Sequence, residues 1–417
     1  MNDLKARLQV SGPYVIGREV KRAIQKVLAD GADPTNRVMT LTPERPAGRS
    51  ALLCYRLEPF LLRPEQQPSG HIQYWVTAQM ARTLLDLGYE VDVASQSNRG
   101  YWPRKPYALV IDVRHVLERI APMLDAGCVK IVHLDTAHLV FHNAAEARRL
   151  LALQHRRGVT IPPSRFLTPN LGLEHADCGT MSGNDFTFGT FEYAGKPIYR
   201  VPIPSPITCP WPDAKDFGAV RRRFLFFASH GLVHKGLDLV LEAFTRMPDL
   251  HLTVCGPLDS EPAFVDAYRT ELYHTPNIET VGWIDTTSVR LRELADASVA
   301  MILPTCSEGA STSTIEGMHA GVIPMVTYEC GVDVGDFGVL FKQGTIDEIV
   351  AQAAQLSSLS SSELRQRARA AWECARARHT RERFVVEYRR TIETIVASFR
   401  NGGRAGQDSY RDARQPT

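Results

Sequence analysis

Apolar positions along this chain alternate between short unbroken runs and longer stretches with helical spacing. Residues 51–57, 89–94, 107–112 and 129–134 are rich in apolar positions and predict strands. Between the first two, residues 72–87 place Trp75, Val76, Gln79, Met80 and Thr83 at helical spacing, and residues 144–155 predict another helix. The same alternation returns after residue 222. Strands are expected at 223–229, 251–255, 278–282, 299–303 and 322–327. The helix expected at 236–247 carries Leu237, Val240, Leu241, Phe244 and Met247 on one face. Unbroken apolar runs belong to strands buried on both faces, and strand–helix alternation implies parallel sheets.

Prolines punctuate the pattern. Pro202, Pro204, Pro206, Pro210 and Pro212 fall between the two alternating regions, where missing backbone donors forbid regular pairing. The expected organisation is an extension at 1–48 with a helix near 17–29, a first α/β domain at 49–204 and a second at 205–378. A helix at 379–400 and a disordered polar tail at 401–417 follow. That last helix aligns Phe384, Tyr388, Ile392, Ile395 and Phe399 on one stripe, to pack on the protein or, alternatively, to lie on a membrane.

Composition narrows the class. The 417 residues are 44% hydrophobic and 23% charged, which suits a globular chain of two or three domains. A formal net charge of +2 implies no general attraction to nucleic acid. The eight cysteines include no C-x-x-C pair, and Cys54, Cys255 and Cys306 lie in or beside apolar runs. This usage, with no signal-like start and no membrane-length apolar run, points to the cytosol.

Chemistry concentrates at 304–321. The run 299–303 feeds a small-residue loop holding Glu308, which opens a helix holding Glu316, with Gly321 suited to close it. A helix start offers unpaired N–H groups to an anion, and neighbouring carboxylates suit a ligand with hydroxyls, such as a sugar nucleotide. Ser313 and Glu316 also fit a capping box, so Glu316 could instead be structural. A second anion site is suggested at 229–236, where Lys235 stands at a helix start. Lys235 either answers a phosphate there or snorkels to solvent.

His133, Asp135, His138 and His142 are close in sequence, yet no general base lies between the last two histidines, and a metal is not expected. The arginines at 148, 149, 156, 157 and 165 form either a solvated face or a surface for an anionic lipid or polymer. No G-x-G-x-x-G follows the first strand, which disfavours a nicotinamide enzyme.

His-Lys-Gly-Leu-Asp at 234–238, Gly282-Trp283-Ile284, and Pro304 to Gly309 with Glu308 and Glu316 seven residues apart resemble the family-4 retaining glycosyltransferases. The resemblance is concentrated in 220–345. Over 50–200 it is carried by Ser69-Gly70 and by Thr136-Ala137-His138. It implies the GT-B fold, two Rossmann-like parallel-sheet domains facing across a cleft. It also implies a metal-independent, cofactor-free transfer of sugar from a nucleotide diphosphate donor, UDP- or GDP-linked, with retention. Lys235 would neutralise the diphosphate, with the N–H groups of Gly309, Ala310 and Ser311 completing the cradle. Glu316 would accept both ribose hydroxyls, Glu308 would lie beside the sugar, and the Ile284 main chain would read the base. Gly70 would let the backbone approach the phosphates, and His138 would lie near the transferred sugar.

The sequence departs from the family five residues before the lysine, where arginine is common and His230 stands here. The acceptor, whether glycan, lipid or small molecule, is not legible. The location implied is cytoplasmic or, alternatively, peripheral at the inner face of a membrane. Two alternatives use the same donor site: a GT-B sugar-nucleotide epimerase and a non-catalytic binding protein.

Overall fold

The computed structural model describes residues 36–62 and 72–400 and divides the chain into two compact units, Met1–Lys130 and Ile131–Thr417. The expected helix at 17–29, Gly70 and the tail at 401–417 lie outside the described residues.

In the first unit, β2 (Arg49–Tyr55) pairs in parallel with both β3 (Tyr89–Ser95) and β4 (Leu109–Asp112). The five residues from Ala51 to Tyr55 are buried, as expected of a strand covered on both faces. The helix Ile72–Asp86 connects β2 to β3. One strand departs from expectation: β1 (Val38–Leu41) falls inside the 1–48 extension and pairs antiparallel with β3.

The second unit begins within β5 (Val129–Leu134), which pairs in parallel with β6 (Cys178–Met181), itself parallel to β7 (Ile198–Arg200). Six further strands follow: β8 (Arg223–Phe227), β9 (His251–Cys255), β10 (Ile278–Gly282), β11 (Ala300–Leu303), β12 (Ile323–Thr327) and β13 (Val339–Phe341). They run in the order β10-β9-β8-β11-β12-β13, all parallel. Phe224, Phe226, Val254, Met301, Ile302 and Met325 fill the core around this sheet. The strands sort into the two α/β sheets of the GT-B class, β1–β7 and β8–β13.

The proline-rich segment lies between β7 and β8 and is tied to the junction before the last helix. Ser205 N–H donates to the His379 carbonyl at 3.1 Å, and the His379 ring Nδ1 bonds the Ile203 carbonyl at 3.2 Å. In the helix Arg381–Arg400, Phe384, Tyr388, Ile392 and Ile395 are buried, so the apolar stripe packs inside the protein. No helix among the described residues is long and apolar enough to cross a membrane.

Candidate active site

The two loops singled out by sequence leave neighbouring parallel strands, β8 and β11, and are fastened together. Cys306 N–H donates to the His234 carbonyl at 3.0 Å, and the His234 Nε2 bonds the Ser307 carbonyl at 2.5 Å. At their junction Lys235 and Glu308 form a buried ion pair. Thr305 donates a further hydrogen bond to Glu308 at 2.9 Å. Burial by itself would raise the Glu308 carboxyl, but Lys235, with His234 and Arg165, holds it down at about 2. Glu308 is therefore ionised at any working pH and suited to answer positive charge. It cannot serve as a proton donor. Burial lowers the Lys235 ammonium, and Glu308 opposes that shift.

Glu316 lies on the helix Thr312–His319, and its residue is 4% exposed. The helix is capped by Ser311, whose side chain accepts from Thr314 N–H at 3.2 Å. The expected capping box at Ser313 and Glu316 does not form, because the helix starts two residues earlier and Ser313 lies inside it. Burial alone pushes the Glu316 carboxyl up to about 8. No neighbouring charge among the described residues offsets that burial.

Close packing fixes the loop between the glutamates. A Cβ on Gly309 would lie 2.5 Å from the Asp135 carbonyl oxygen and 3.0 Å from the Thr136 Cα. The Gly309 carbonyl accepts from Thr187 Oγ1 at 2.8 Å. Ser311 N–H donates to the Cys330 carbonyl at 2.8 Å, which leaves the phosphate cradle expected at Gly309, Ala310 and Ser311 to the first two residues.

His230 is exposed, and its Nδ1 bonds Ser260 Oγ at 3.1 Å. The N–H groups of Gly231 and Leu232 donate to the Glu261 carboxylate. That turn's capacity for an anion is thus filled from within the chain. Ile284 is buried just after β10, beside the half-exposed Trp283. His138 caps the helix Leu139–Arg157, its ring packed edge-on against Phe191 and Tyr193 at 5.5 and 4.8 Å. Burial lowers its pKa, so it is a neutral hydrogen-bonding group near pH 7.

Three of the five arginines, Arg149, Arg156 and Arg157, are engaged within the protein. Arg156 pairs with Asp238 at 2.6 Å and Glu242 at 3.2 Å. Arg157 pairs with Glu271 at 2.5 Å, and Arg149 donates to the Pro304 carbonyl at 2.6 Å. Helical spacing turns these side chains toward the β8–β13 half, where carboxylates meet them.

His142, expected with its neighbours His133 and His138, instead joins Glu146 and His234, their ligand-type atoms lying within 4.8 Å of one another. The His142 ring bonds Ser307 Oγ at 3.1 Å and the Arg165 carbonyl at 3.0 Å. Glu146 accepts from Ser164 and Arg165 N–H at 2.9 and 3.0 Å. Burial holds the His142 and His234 rings at about 4 and about 3. With their atoms so engaged, these side chains read as an anchor for the 164–167 loop. His133, meanwhile, bonds Thr180 at 3.0 Å. The sequence signal for the anchor was the i, i+4 pair His142 and Glu146; nothing local linked it to His234.

Residues 221–358 match the family described as Glycosyl transferases group 1. No curated protein matches the chain by sequence. Among solved structures, a sucrose-phosphate synthase from Thermosynechococcus elongatus is similar at a TM-score of 0.60 and 14% identity, over 85% of this chain and 100% of that one. The Anabaena HepE protein, solved with UDP and glucose, gives 0.52 and 12%, over 84% of this chain and 99% of that one. A pneumococcal O-GlcNAc transferase solved with UDP and GlcNAc gives 0.46 and 15%, covering 69% of this chain, which spans 57% of that protein's length.

Proposed function

We propose that this chain is a metal-independent retaining glycosyltransferase that takes sugar from a UDP- or GDP-sugar and passes it to an acceptor hydroxyl. The observation that carries this reading is the pairing of a buried Lys235–Glu308 ion pair with the buried, uncompensated carboxyl of Glu316 at the ends of adjacent parallel strands. Lys235 faces the diphosphate, with Gly309, Ala310 and Ser311 forming the loop around it and His230 at its exposed rim. Glu316 grips the ribose and the Ile284 main chain reads the base. Glu308, ionised throughout, stabilises charge at the sugar's anomeric carbon, and neutral His138 orients the sugar. The acceptor oxygen bonds to that carbon as its bond to the leaving phosphate breaks, and the acceptor's proton passes to that phosphate. The division at 204/205, the packing of the 379–400 helix toward the first domain and a cytosolic setting belong to the same proposal. In support of the helix packing, Tyr199 on β7 hydrogen-bonds Ser398.

The test is donor turnover, read as transfer, as isomerisation, or as neither. Glu308→Gln should depress turnover without weakening nucleoside diphosphate binding, because Glu308 meets the sugar and its loss frees the Lys235 charge it pairs with. An unchanged rate in that variant would remove it from the chemistry.

Glu316 gives a pH signature. Ribose hydroxyls bind the ionised carboxylate better, so donor affinity should rise with pH up to about 8 and then level off. A UDP-sugar is the right probe, because its diphosphate gains no proton in that range. For folding the sign is opposite: the raised carboxyl binds its proton more tightly in the native state, so stability falls from pH 4.5 to about 8. Glu316→Gln should flatten both profiles and lower affinity about ten-fold or more, with melting temperature unchanged at acid pH and raised at pH 7, where the wild-type carboxyl has lost stability. Equal pH slopes in wild type and variant would exclude Glu316 as the ribose acceptor.

A further inference from the structure

Lys235 alone cannot hold a diphosphate, because Glu308 already cancels its charge within a buried pair. A second cation is needed, and the exposed ring of His230, bonded to Ser260, is not aimed at that pair by any contact in the structure. One guanidinium has both the position and the capacity. The Arg165 stem runs over the Gly231 backbone: a Cβ at Gly231 would lie 2.5 Å from the Arg165 Cγ and 2.9 Å from its Cδ. Only a residue without a side chain leaves that path open. Arg165 Nε is buried and makes no hydrogen bond among the described residues. An unsatisfied buried donor on a cation is costly unless an anion completes it.

The loop carrying Arg165 is held unusually firmly. Glu146 accepts its N–H at 3.0 Å, and His142 bonds its carbonyl at 3.0 Å. Two residues on, Asn143 bonds both the N–H and the carbonyl of Leu167, at 2.8 and 2.9 Å. Three side chains of one helix thus fasten Ser164, Arg165 and Leu167 of a loop that has no regular structure of its own. Ser307, one residue before Glu308, bonds His142 from the opposite side. The anchor therefore ties the position of Arg165 to that of Glu308.

We propose that Arg165 is the second diphosphate-binding cation of the donor site, reaching across Gly231 to complete Lys235 and making the site selective for diphosphate-linked donors. This rests on the donor-site reading above. Its electrostatic influence on both members of the pair agrees: Arg165 is among the charges that lower the Glu308 carboxyl and the Lys235 ammonium. A guanidinium matches phosphate oxygens bidentately, which a histidine in the same region could not do.

The experiment titrates wild type, Arg165→Gln, Arg165→Lys and His230→Ala with UDP, GDP and inorganic pyrophosphate, with melting curves on each protein. Arg165→Gln should weaken pyrophosphate and the nucleotide bound by wild type about ten-fold or more. Arg165→Lys should recover part of that loss, and His230→Ala should change affinity less than Arg165→Gln does. If wild type binds a nucleotide and Arg165→Gln binds it equally well while folded, the assignment is wrong and the donor site stands. If wild type binds neither nucleotide nor pyrophosphate, both readings fall together.

Discussion

Replacing Lys235 with methionine is expected to lower the melting temperature and remove nucleotide binding in one step. The substitution keeps the volume of the side chain but strands the Glu308 carboxylate, which is 7% exposed and has Lys235 as its ion-pair partner. Removing one member of a buried pair costs about 3–5 kcal/mol, because the remaining charge is left uncompensated. Thr305 and the nearby Arg165 soften that loss without abolishing it. The double variant Lys235→Met with Glu308→Gln removes both charges and should recover most of the stability. It should recover no nucleotide affinity, since the phosphate contact is gone. Denaturant unfolding and calorimetry on the three proteins separate the two effects. A single variant as stable as wild type would mean that the pair is not buried as described.

Gly309→Ala is expected to disturb the site through the backbone. Its Cβ would press on the Asp135 carbonyl oxygen and the Thr136 Cα, main-chain atoms at the end of β5 that cannot swing aside as a side chain would. Overpacking of this kind costs about 1–3 kcal/mol, which in a chain of this size lowers the melting temperature by a few degrees. The larger effect should be on turnover. Displacing Gly309 also shifts Glu308 beside it, and misplacement of about 1 Å can cost on the order of a hundred-fold in rate. Serine at the same position should behave like alanine, because the obstruction meets the Cβ itself. Wild-type turnover in Gly309→Ala would show that this loop can relax without consequence.

The strands that were legible in the sequence are those rich in apolar and β-branched residues over four or more positions. Residues 129–134, 251–255 and 278–282 were bounded as observed. Three strands gave no such signal. Cys178–Met181 contains a glycine, and Ile198–Arg200 and Val339–Phe341 have three residues each, too few to show a period. The strand Val38–Leu41 was hidden in a polar, proline-bearing stretch and owes its form to pairing with β3.

The site was legible where chemistry is local in sequence, as at Lys235, Glu308 and Glu316. Arg165 and the His142–Glu146–His234 anchor were not, because they meet only when a loop some seventy residues before Lys235 packs on Gly231. The capping box failed for a local reason: Ser311, two residues upstream, captures the Thr314 N–H first.

The loops after β8 and β11 are proposed to build a nucleotide-sugar donor site. Calorimetric titration of the full chain with UDP, GDP, ADP and TDP tests it most directly. At least one nucleotide should bind, and that binding should weaken about ten-fold or more in Glu316→Gln with no loss of melting temperature. No heat from any of the four at millimolar concentration would contradict the claim.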